Sequence, residues 1–199
     1  MKDQINEILL GLDFGWEAQF HILKHFVTID ETYRNLLLMN GFSQDYIDQQ
    51  LKTVGSVFDK SFSNNPQELL RTLINNKQFI TSINETEFTK EIQFDVESIY
   101  DDGVGFDNLI SLAELTSNQK NTVYKRKIGD ELFFHISTHF KRTNIVNMIV
   151  AKLEKGYSII TIFPGTYAPP FPNEKKQNKI EYKISIDFWN KHAFITVDV

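Results

Sequence analysis

The spacing of the apolar residues changes along the chain, and this change limits the possible folds more than any other feature of the sequence. Trp16, Phe20, Leu23 and Val27 stand at i, i+4, i+7 and i+11, the spacing of one helical face. Comparable spacing continues through about the first 80 residues and then gives way to alternation. The sequence therefore predicts helices first and strands afterwards.

Helix boundary signals support this division. Asp30 is placed to cap a helix, and Asn40-Gly41 to end it. Ser43 can cap the next helix, which is predicted to reach Phe58. The segment Asn65-Pro66-Gln67-Glu68 supplies a capping residue, a proline at the first helical position and a glutamate at the third. Each signal predicts a separate amphipathic helix.

Alternation marks the second half of the chain. Phe134, Ile136 and Phe140 are predicted to face one side of a strand. The other side of that strand carries the polar residues His135, Ser137, His139 and Lys141. Residues 145–163 favour a hairpin over a helix, because Ile, Val and Met dominate the first arm and Gly156 lies at the turn.

Three further segments are interpreted from the same patterns. Residues 88–96 are predicted to form the first strand. The apolar residues that alternate through 180–188 are expected to face inward from another strand, and residues 190–192 to turn the chain into a last strand at 194–199. Residues 106–115 are expected to form a helix or a loop packed on the core.

These elements together predict an α+β fold. Strands joined by short turns indicate an antiparallel sheet. We expect N-terminal helices packed against a C-terminal curved, mainly antiparallel β-sheet. The helical region spans residues 1–84 and the β-rich region 85–199, and both are expected to form one compact unit.

Charge is distributed unevenly along the chain, whose net charge is −5. Residues 1–118 hold 8 Lys and Arg against 19 Asp and Glu, whereas residues 119–183 hold 12 against 5. A basic stretch of this kind can bind a polyanion, so RNA is a predicted partner through residues 119–183. Two regions of opposite charge can also simply attract each other, and that alternative stays open.

The chain contains no cysteine, so it can form no disulfide, thiolate zinc site or cysteine nucleophile. We see no signal-peptide pattern and no apolar run of about 18 residues that could cross a membrane. We therefore expect a cytoplasmic protein that makes no membrane contact. Glycine-rich phosphate loops and a G-x-S-x-G elbow are also absent, which argues against P-loop, Rossmann and α/β-hydrolase enzymes. We predict no cofactor and no metal.

The histidines are the candidate acid/base groups. His21 and His25 are four residues apart on a predicted helix, where they are expected on a solvent-facing side with Glu17. His135 and His139 have the same spacing on a predicted strand, which separates them by about 13 Å and prevents a shared metal. An imidazole can move the proton of a ribose 2′-hydroxyl near neutral pH, and a nearby cation such as Arg142 can stabilise the phosphorane.

A family resemblance rests on residues 105–172. The segments that carry it are Gly105-Phe106-Asp107-Asn108-Leu109-Ile110, Val123-Tyr124-Lys125-Arg126, Thr143, Ile160-Thr161-Ile162-Phe163-Pro164-Gly165 and Ala168-Pro169-Pro170-Phe171-Pro172. They resemble a group of uncharacterised bacterial proteins with the pattern G-[FY]-x-x-L, [FY]-x-x-R and T-x-[FY]-x-G-x-x-A-P-P-x-P. That group is similar to the barnase/EndoU/colicin/RelE-like ribonuclease toxins, whose N-terminal helices pack on a curved antiparallel sheet. The chain departs from the pattern after Arg126, where no second arginine follows.

The resemblance implies an active face on the sheet that includes Arg126, Thr161 and Tyr167. To these we add His135, His139 and Arg142 from the charge and strand pattern. The resulting hypothesis is a metal-independent ribonuclease of the toxin type. A histidine would serve as acid or base, the arginines as cations for the phosphate, and Thr161 and Tyr167 as hydrogen-bond partners.

Two alternatives to the nuclease remain open. The first is a non-enzymatic protein-binding module, such as an immunity protein or adaptor, because an acidic chain suits a basic partner. The second is a structural protein without a small ligand.

Overall fold

The computed structural model describes residues 12–51, 55–77, 93–118, 120–154 and 156–197. The α-helices are α1 (Trp16–His21), α2 (Glu31–Met39), α3 (Gln44–Leu51), α4 (Pro66–Ile74) and α5 (Lys179–His192). Short 3₁₀ helices span Ile22–His25 and Leu112–Glu114. The strands are β1 (Leu12–Asp13), β2 (Val57–Phe58), β3 (Gln93–Ile99), β4 (Gly105–Leu109), β5 (Asn121–Ile128), β6 (Glu131–Thr143), β7 (Ile145–Lys152), β8 (Tyr157–Pro164) and β9 (Ala193–Val197).

The chain forms two compact units, and each is built from two separate stretches. Unit 1 consists of residues 1–106 and 142–165, and unit 2 of residues 107–141 and 166–199. The predicted α+β class with mainly antiparallel sheets is confirmed. The boundary expected between residues 84 and 85 lies outside the described residues.

Unit 1 is built on a four-stranded sheet in the order β1-β8-β7-β3. The β7–β8 pair is the predicted hairpin, with Gly156 in the left-handed conformation (φ 90°) that favours glycine. Strand β3 pairs antiparallel with β7, and β1 pairs parallel with β8. The part of the predicted first strand before residue 93 lies outside the described residues.

Helices cover one face of this sheet. Leu69 and Leu73 of α4 are fully buried in one cluster with strand residues such as Met148 and Ile162. A second cluster joins α1, α2 and α3 and includes Tyr33. Burying aliphatic and aromatic side chains in this way is the main stabilising contribution in a unit of this size.

The predicted helix boundaries are confirmed in unit 1. The Asp30 side chain accepts a hydrogen bond from the Tyr33 backbone N–H at 2.8 Å, and α2 ends at Met39 with Asn40 as its C-cap. Ser43 Oγ accepts from the Tyr46 N–H at 3.3 Å. Asn65 accepts from the Glu68 N–H at 2.9 Å and starts α4. The capping side chains therefore determine where these three helices begin.

Two predictions at the edges of these helices are wrong. Phe58 lies in β2 rather than in a helix, since α3 ends at Leu51. Residues 105–109 form strand β4, where a helix or loop was expected, and β2 pairs with its first residues. A Cβ on Gly105 would stand 2.3 Å from the Val57 carbonyl oxygen, so this pairing requires glycine.

The first helical face also differs from its prediction. The helix changes from α to 3₁₀ after His21, and a 3₁₀ helix turns about 120° per residue instead of 100°. His25 consequently rotates into the core, whereas Val27 is exposed. The expected solvent-facing position of His25 is therefore wrong.

Unit 2 is built around β6, which pairs antiparallel with β5 on one side and with β9 on the other. The predicted strand at 180–188 is wrong, because residues 179–192 form helix α5. Asn178 and Glu181 form a capping box at its start. Ile180 and Ile184 were expected to face inward but are 73% and 58% exposed.

Helix α5 packs on one face of β6 and on the proline-rich loop. Phe133 and Trp189 are buried together, with Phe171 stacked on the Trp189 ring at 3.9 Å. Trp189 Nε1 donates to the Pro169 carbonyl oxygen at 3.0 Å, and Ser185 Oγ donates to that of Pro170 at 2.5 Å. The loop of the sequence motif is thus held by α5.

In the part of the chain that the structure describes, no helix combines the length and apolar character needed to cross a membrane.

Candidate functional site

His135 lies in an aromatic cluster of unit 2. Its ring is stacked at 5.0 Å on Tyr124, which is directly opposite on β5, and lies 5.7 Å from Trp189 and 6.1 Å from Phe171. Burial lowers the pKa of His135, so the neutral imidazole predominates at pH 7. Its Nδ1 is buried and has no hydrogen-bond partner. A neutral imidazole is the form that can accept a proton as a general base.

The polar side of β6 that carries His135 is covered rather than open to solvent. Phe133 on the same face is fully buried, and Ser137 is buried and donates to the Asn108 carbonyl oxygen at 2.8 Å. Helix α5 covers this face, where the apolar alternation of residues 180–188 predicted a strand. Phe134 on the opposite face is only partly buried.

Arg126 is on the same face of the sheet as His135. It is opposite Phe133 on β6, so Arg126 and His135 occupy diagonal positions of the β5–β6 pair. Its guanidinium forms an ion pair with Glu174, and its side chain remains 55% exposed. Arg126 and His135 are thus two predicted site residues that unit 2 places near each other on one face.

The other predicted site residues are distributed differently. Arg142 and Thr161 belong to unit 1, where Arg142 packs on Gly103 and Thr161 Oγ1 is buried without a hydrogen-bond partner. Tyr167 belongs to unit 2 and is exposed. His139 is on β6, and its side chain lies outside the described part of the structure.

A group of lysines in unit 2 was missed as a site. Lys175, Lys176 and Lys179, together called the lysine pocket, line an open cavity of about 530 Å³ with Tyr182. The neighbouring acid Glu174 is directed elsewhere, since it binds Arg126 and accepts from the Phe171 N–H at 3.2 Å. A signal was present in the sequence, because the N-x-x-E capping pattern at residues 178–181 fixes where these lysines are presented.

Glu181, the second acid beside the lysine pocket, also has a hydrogen-bond partner of its own. The Glu181 side chain accepts a hydrogen bond from the Asn178 backbone N–H at 2.8 Å. Among the residues that line the cavity there is no Asp or Glu. The pocket therefore presents three ammonium groups with no carboxylate among its walls, which favours an anionic ligand.

His21 and His25 in unit 1 do not form a pair. His25 is buried with Nδ1 2.7 Å from the Ser56 carbonyl oxygen, and burial lowers its pKa to about 3. His21 is exposed and its Nε2 lies 3.0 Å from Lys24 Nζ. The two rings lie in different environments, and within the described residues no three His, Asp or Glu side chains are grouped to hold a metal ion.

Asp107, which the sequence places in a short acidic segment, has a structural role in unit 2. Its buried carboxylate accepts from the Leu109 N–H at 3.0 Å, and from the Thr166 N–H and hydroxyl at 2.8 and 2.5 Å. These bonds join the two stretches of chain that make up unit 2.

Comparisons of the chain with protein-family models, curated proteins and solved structures found no match. The resemblance to ribonuclease toxins stays a prediction from the sequence motif.

Proposed function

We propose that unit 2 binds RNA as a polyanion through the lysine pocket and the adjoining Arg126. The observation that carries this proposal is the set of three lysines around one cavity whose neighbouring carboxylates are bound elsewhere. RNA phosphates bind lysine and arginine side chains with release of counterions. The predicted RNA contact through residues 119–183 includes these residues.

The loop that carries these side chains is internally bonded. Asn173 adopts a positive φ of 61°, and its backbone N–H donates to Gln177 Oε1 at 3.2 Å. The Glu174 N–H donates to the Phe171 carbonyl oxygen at 3.1 Å. A loop held in one conformation presents its lysines with less ordering entropy lost on binding.

A binding experiment tests this proposal with matched variants. Lys175→Ala/Lys179→Ala removes two positive charges from the lysine pocket, and Lys60→Ala/Lys152→Ala removes two exposed ones from unit 1. We expect the pocket variant alone to weaken binding of a labelled RNA in fluorescence anisotropy. For the pocket variant, the slope of log K against log salt concentration should be less steep by about 2. Equal weakening by both variants would point to net charge and overturn the proposal.

Metal-independent cleavage is a second candidate function, favoured by the shared face of His135 and Arg126. A neutral His135 would remove the 2′-hydroxyl proton while the 2′-oxygen attacks phosphorus, and the 5′-oxygen would leave with a proton taken from solvent water. Arg126 would stabilise the charge that develops on the phosphorane. The products are a 2′,3′-cyclic phosphate and a 5′-hydroxyl.

Cleavage is tested separately from binding by incubating RNA with the protein in EDTA. We expect fragments with the wild type and none with His135→Ala/His139→Ala, while His21→Ala, an exposed histidine of unit 1, retains cleavage. Intact RNA with the wild type would sink the cleavage candidate and leave RNA binding standing. If RNA neither binds nor is cleaved, the protein-binding alternative gains, and exposed Ile180 and Ile184 on α5 would be its first surface to test.

A further inference from the structure

The sheet of unit 2 has a second face, opposite α5, whose central row crosses three strands. Phe134 on β6 is directly opposite Lys125 on β5 and Phe194 on β9. Directly paired residues point to the same side of a sheet, with Cβ atoms about 4.5–5.5 Å apart. Val123 precedes Lys125 by two residues and shares its side. We call these four residues the Phe134 face.

The Phe134 face is accessible at Phe194, Val123 and Lys125, whereas Phe134 is half-buried and Leu132 and Ile136, on the same side of β6, are buried. Phe194 is 53% exposed and Val123 is 56% exposed, and Lys125 is exposed as well. Lys125 Nζ stands 6.0 Å from the centroid of the Phe134 ring, within the range of a cation–π contact. Phe194, Phe134 and Val123 thus place exposed apolar surface beside a lysine.

Charge on this face has one sign. The strand residues that share it include Lys125 and Lys127, and no Asp or Glu occupies these positions in β5, β6 or β9. The single acid in these three strands, Glu131, pairs with Val197 and points to the other side. An apolar partner surface would cover the Lys125 ammonium group without offering it an opposite charge, whereas a polyanion would place phosphates beside it.

Aromatic rings in neighbouring strands with lysines beside them suit unpaired bases. Bases of a single strand can stack on aromatic side chains while lysines contact the phosphates. Strands are spaced by about 4.8 Å, so Phe134 and Phe194 can hold two successive splayed bases. In a duplex the faces of the bases are covered by their neighbours, so the same rings have nothing to stack on.

We propose that the Phe134 face selects single-stranded over double-stranded RNA by stacking bases on Phe134 and Phe194. This inference rests on the proposed RNA binding of unit 2 and adds the class of RNA that it takes. The lysine pocket supplies charge that both forms of RNA can use, and the Phe134 face supplies contacts that only unpaired bases can make.

The test compares a 12-nucleotide single strand with a duplex of the same sequence, using the whole chain. The RNA carries 2′-O-methyl groups, so that cleavage cannot remove it. We expect Phe194→Ala to weaken single-strand binding about 10-fold and duplex binding less than 2-fold, since stacking contributes about 1–3 kcal/mol per base. Lys125→Ala should weaken both and lower the salt slope by about 1.

Val197→Ala is the matched control, because Val197 is also exposed on β9 but points to the other side of the sheet. It should leave both affinities within 2-fold. Phe194→Leu keeps the apolar bulk without the ring, and it should also lose single-strand affinity. That variant keeps the test decisive if Phe194→Ala melts at a lower temperature.

Each remaining result has one meaning. If the wild type binds RNA and Phe194→Leu leaves single-strand affinity unchanged, stacking is overturned and RNA binding stands. Equal losses for single strand and duplex also overturn the selectivity. If the wild type binds neither RNA, the proposed function fails and this inference fails with it.

Discussion

The two units stabilise themselves in different ways. Unit 1 buries two clusters of aliphatic and aromatic side chains between its helices and its sheet. Unit 2 has a small cluster around Phe133 and Trp189, and adds side-chain hydrogen bonds to backbone groups of residues 166–170. The stabilisation from apolar burial is spread over many contacts, whereas the stabilisation from a buried hydrogen bond is lost entirely when one partner is removed. We therefore expect unit 2 to depend more on single residues.

The two units also differ in their content of charged residues. Unit 1 holds 11 Lys and Arg against 18 Asp and Glu, and unit 2 holds 10 against 8. The acidic carboxylates beside the lysines of unit 2 are bound in hydrogen bonds and an ion pair. Polyanion binding is thus a property expected of unit 2 alone.

The largest expected effect is that of Trp189→Ala. This change removes the ring stacked on Phe171 and the hydrogen bond to Pro169, and it leaves a cavity. We expect unit 2 to lose about 4 kcal/mol of unfolding free energy. Hydrogen exchange should show faster exchange in β5, β6 and β9 with protection in β7 and β8 retained. Equal loss of protection in both units would contradict this expectation.

Asp107→Ala should have the next largest effect. It removes the acceptor of three hydrogen bonds and leaves the Leu109 and Thr166 donors unpaired in a buried site. We expect a loss of about 3 kcal/mol in unit 2, measured by urea unfolding followed by hydrogen exchange. Asp107→Asn retains one oxygen and should lose less. A change confined to unit 1 would count against the assignment of this site.

The pH dependence of unit 1 should follow His25. Burial holds its pKa near about 3 in the folded state, against 6.5 for the ordinary group. The unfolded chain therefore binds the extra proton between these values, so the stability present above pH 6.5 is lost as pH falls toward 3. We expect about 3 kcal/mol of stability to be lost between pH 6.5 and pH 4. His25→Gln should flatten this part of the curve.

The smallest expected effect is an increase in stability from Asp95→Asn. Burial, with Glu97 nearby, raises the pKa of Asp95 to about 6, and its Oδ1 has no hydrogen-bond partner. A raised carboxyl pKa favours folding below pH 4, and that contribution is lost as pH rises through 6. At pH 7 the variant should gain about 1 kcal/mol, after allowance for solvent screening. Glu97→Gln, on an exposed neighbour of β3, should change less.

Local signals predicted local structure well. Asp30 and Asn65 start helices because a side chain and a nearby N–H suffice to define a cap. The alternation of apolar residues through 180–188 led to a wrong prediction of a strand. Ile180 and Ile184 are exposed, so the apolar positions in this segment do not indicate which side is buried. The same segment contained the correct signal in Asn178 and Glu181, whose reciprocal bonds start α5.

The candidate site was harder to predict than the elements. His135 was correctly assigned to a strand, but its surroundings depend on a helix 44 residues later, at Lys179 and beyond. Thr161 was grouped with it through the family resemblance and Arg142 through the charge pattern, and both belong to unit 1. Periodicity describes which side of a strand a residue takes, and it carries no information on what covers that side.

The divided path of the chain sets an order for its synthesis. All of unit 1 has been made once residue 165 leaves the ribosome, whereas unit 2 still lacks β9, α5 and the proline-rich loop. Until residues 166–199 have also been made, β5 and β6 have an uncovered apolar face that includes Phe133. A nascent chain stalled before residue 189 would present this face to chaperones and to other copies of itself.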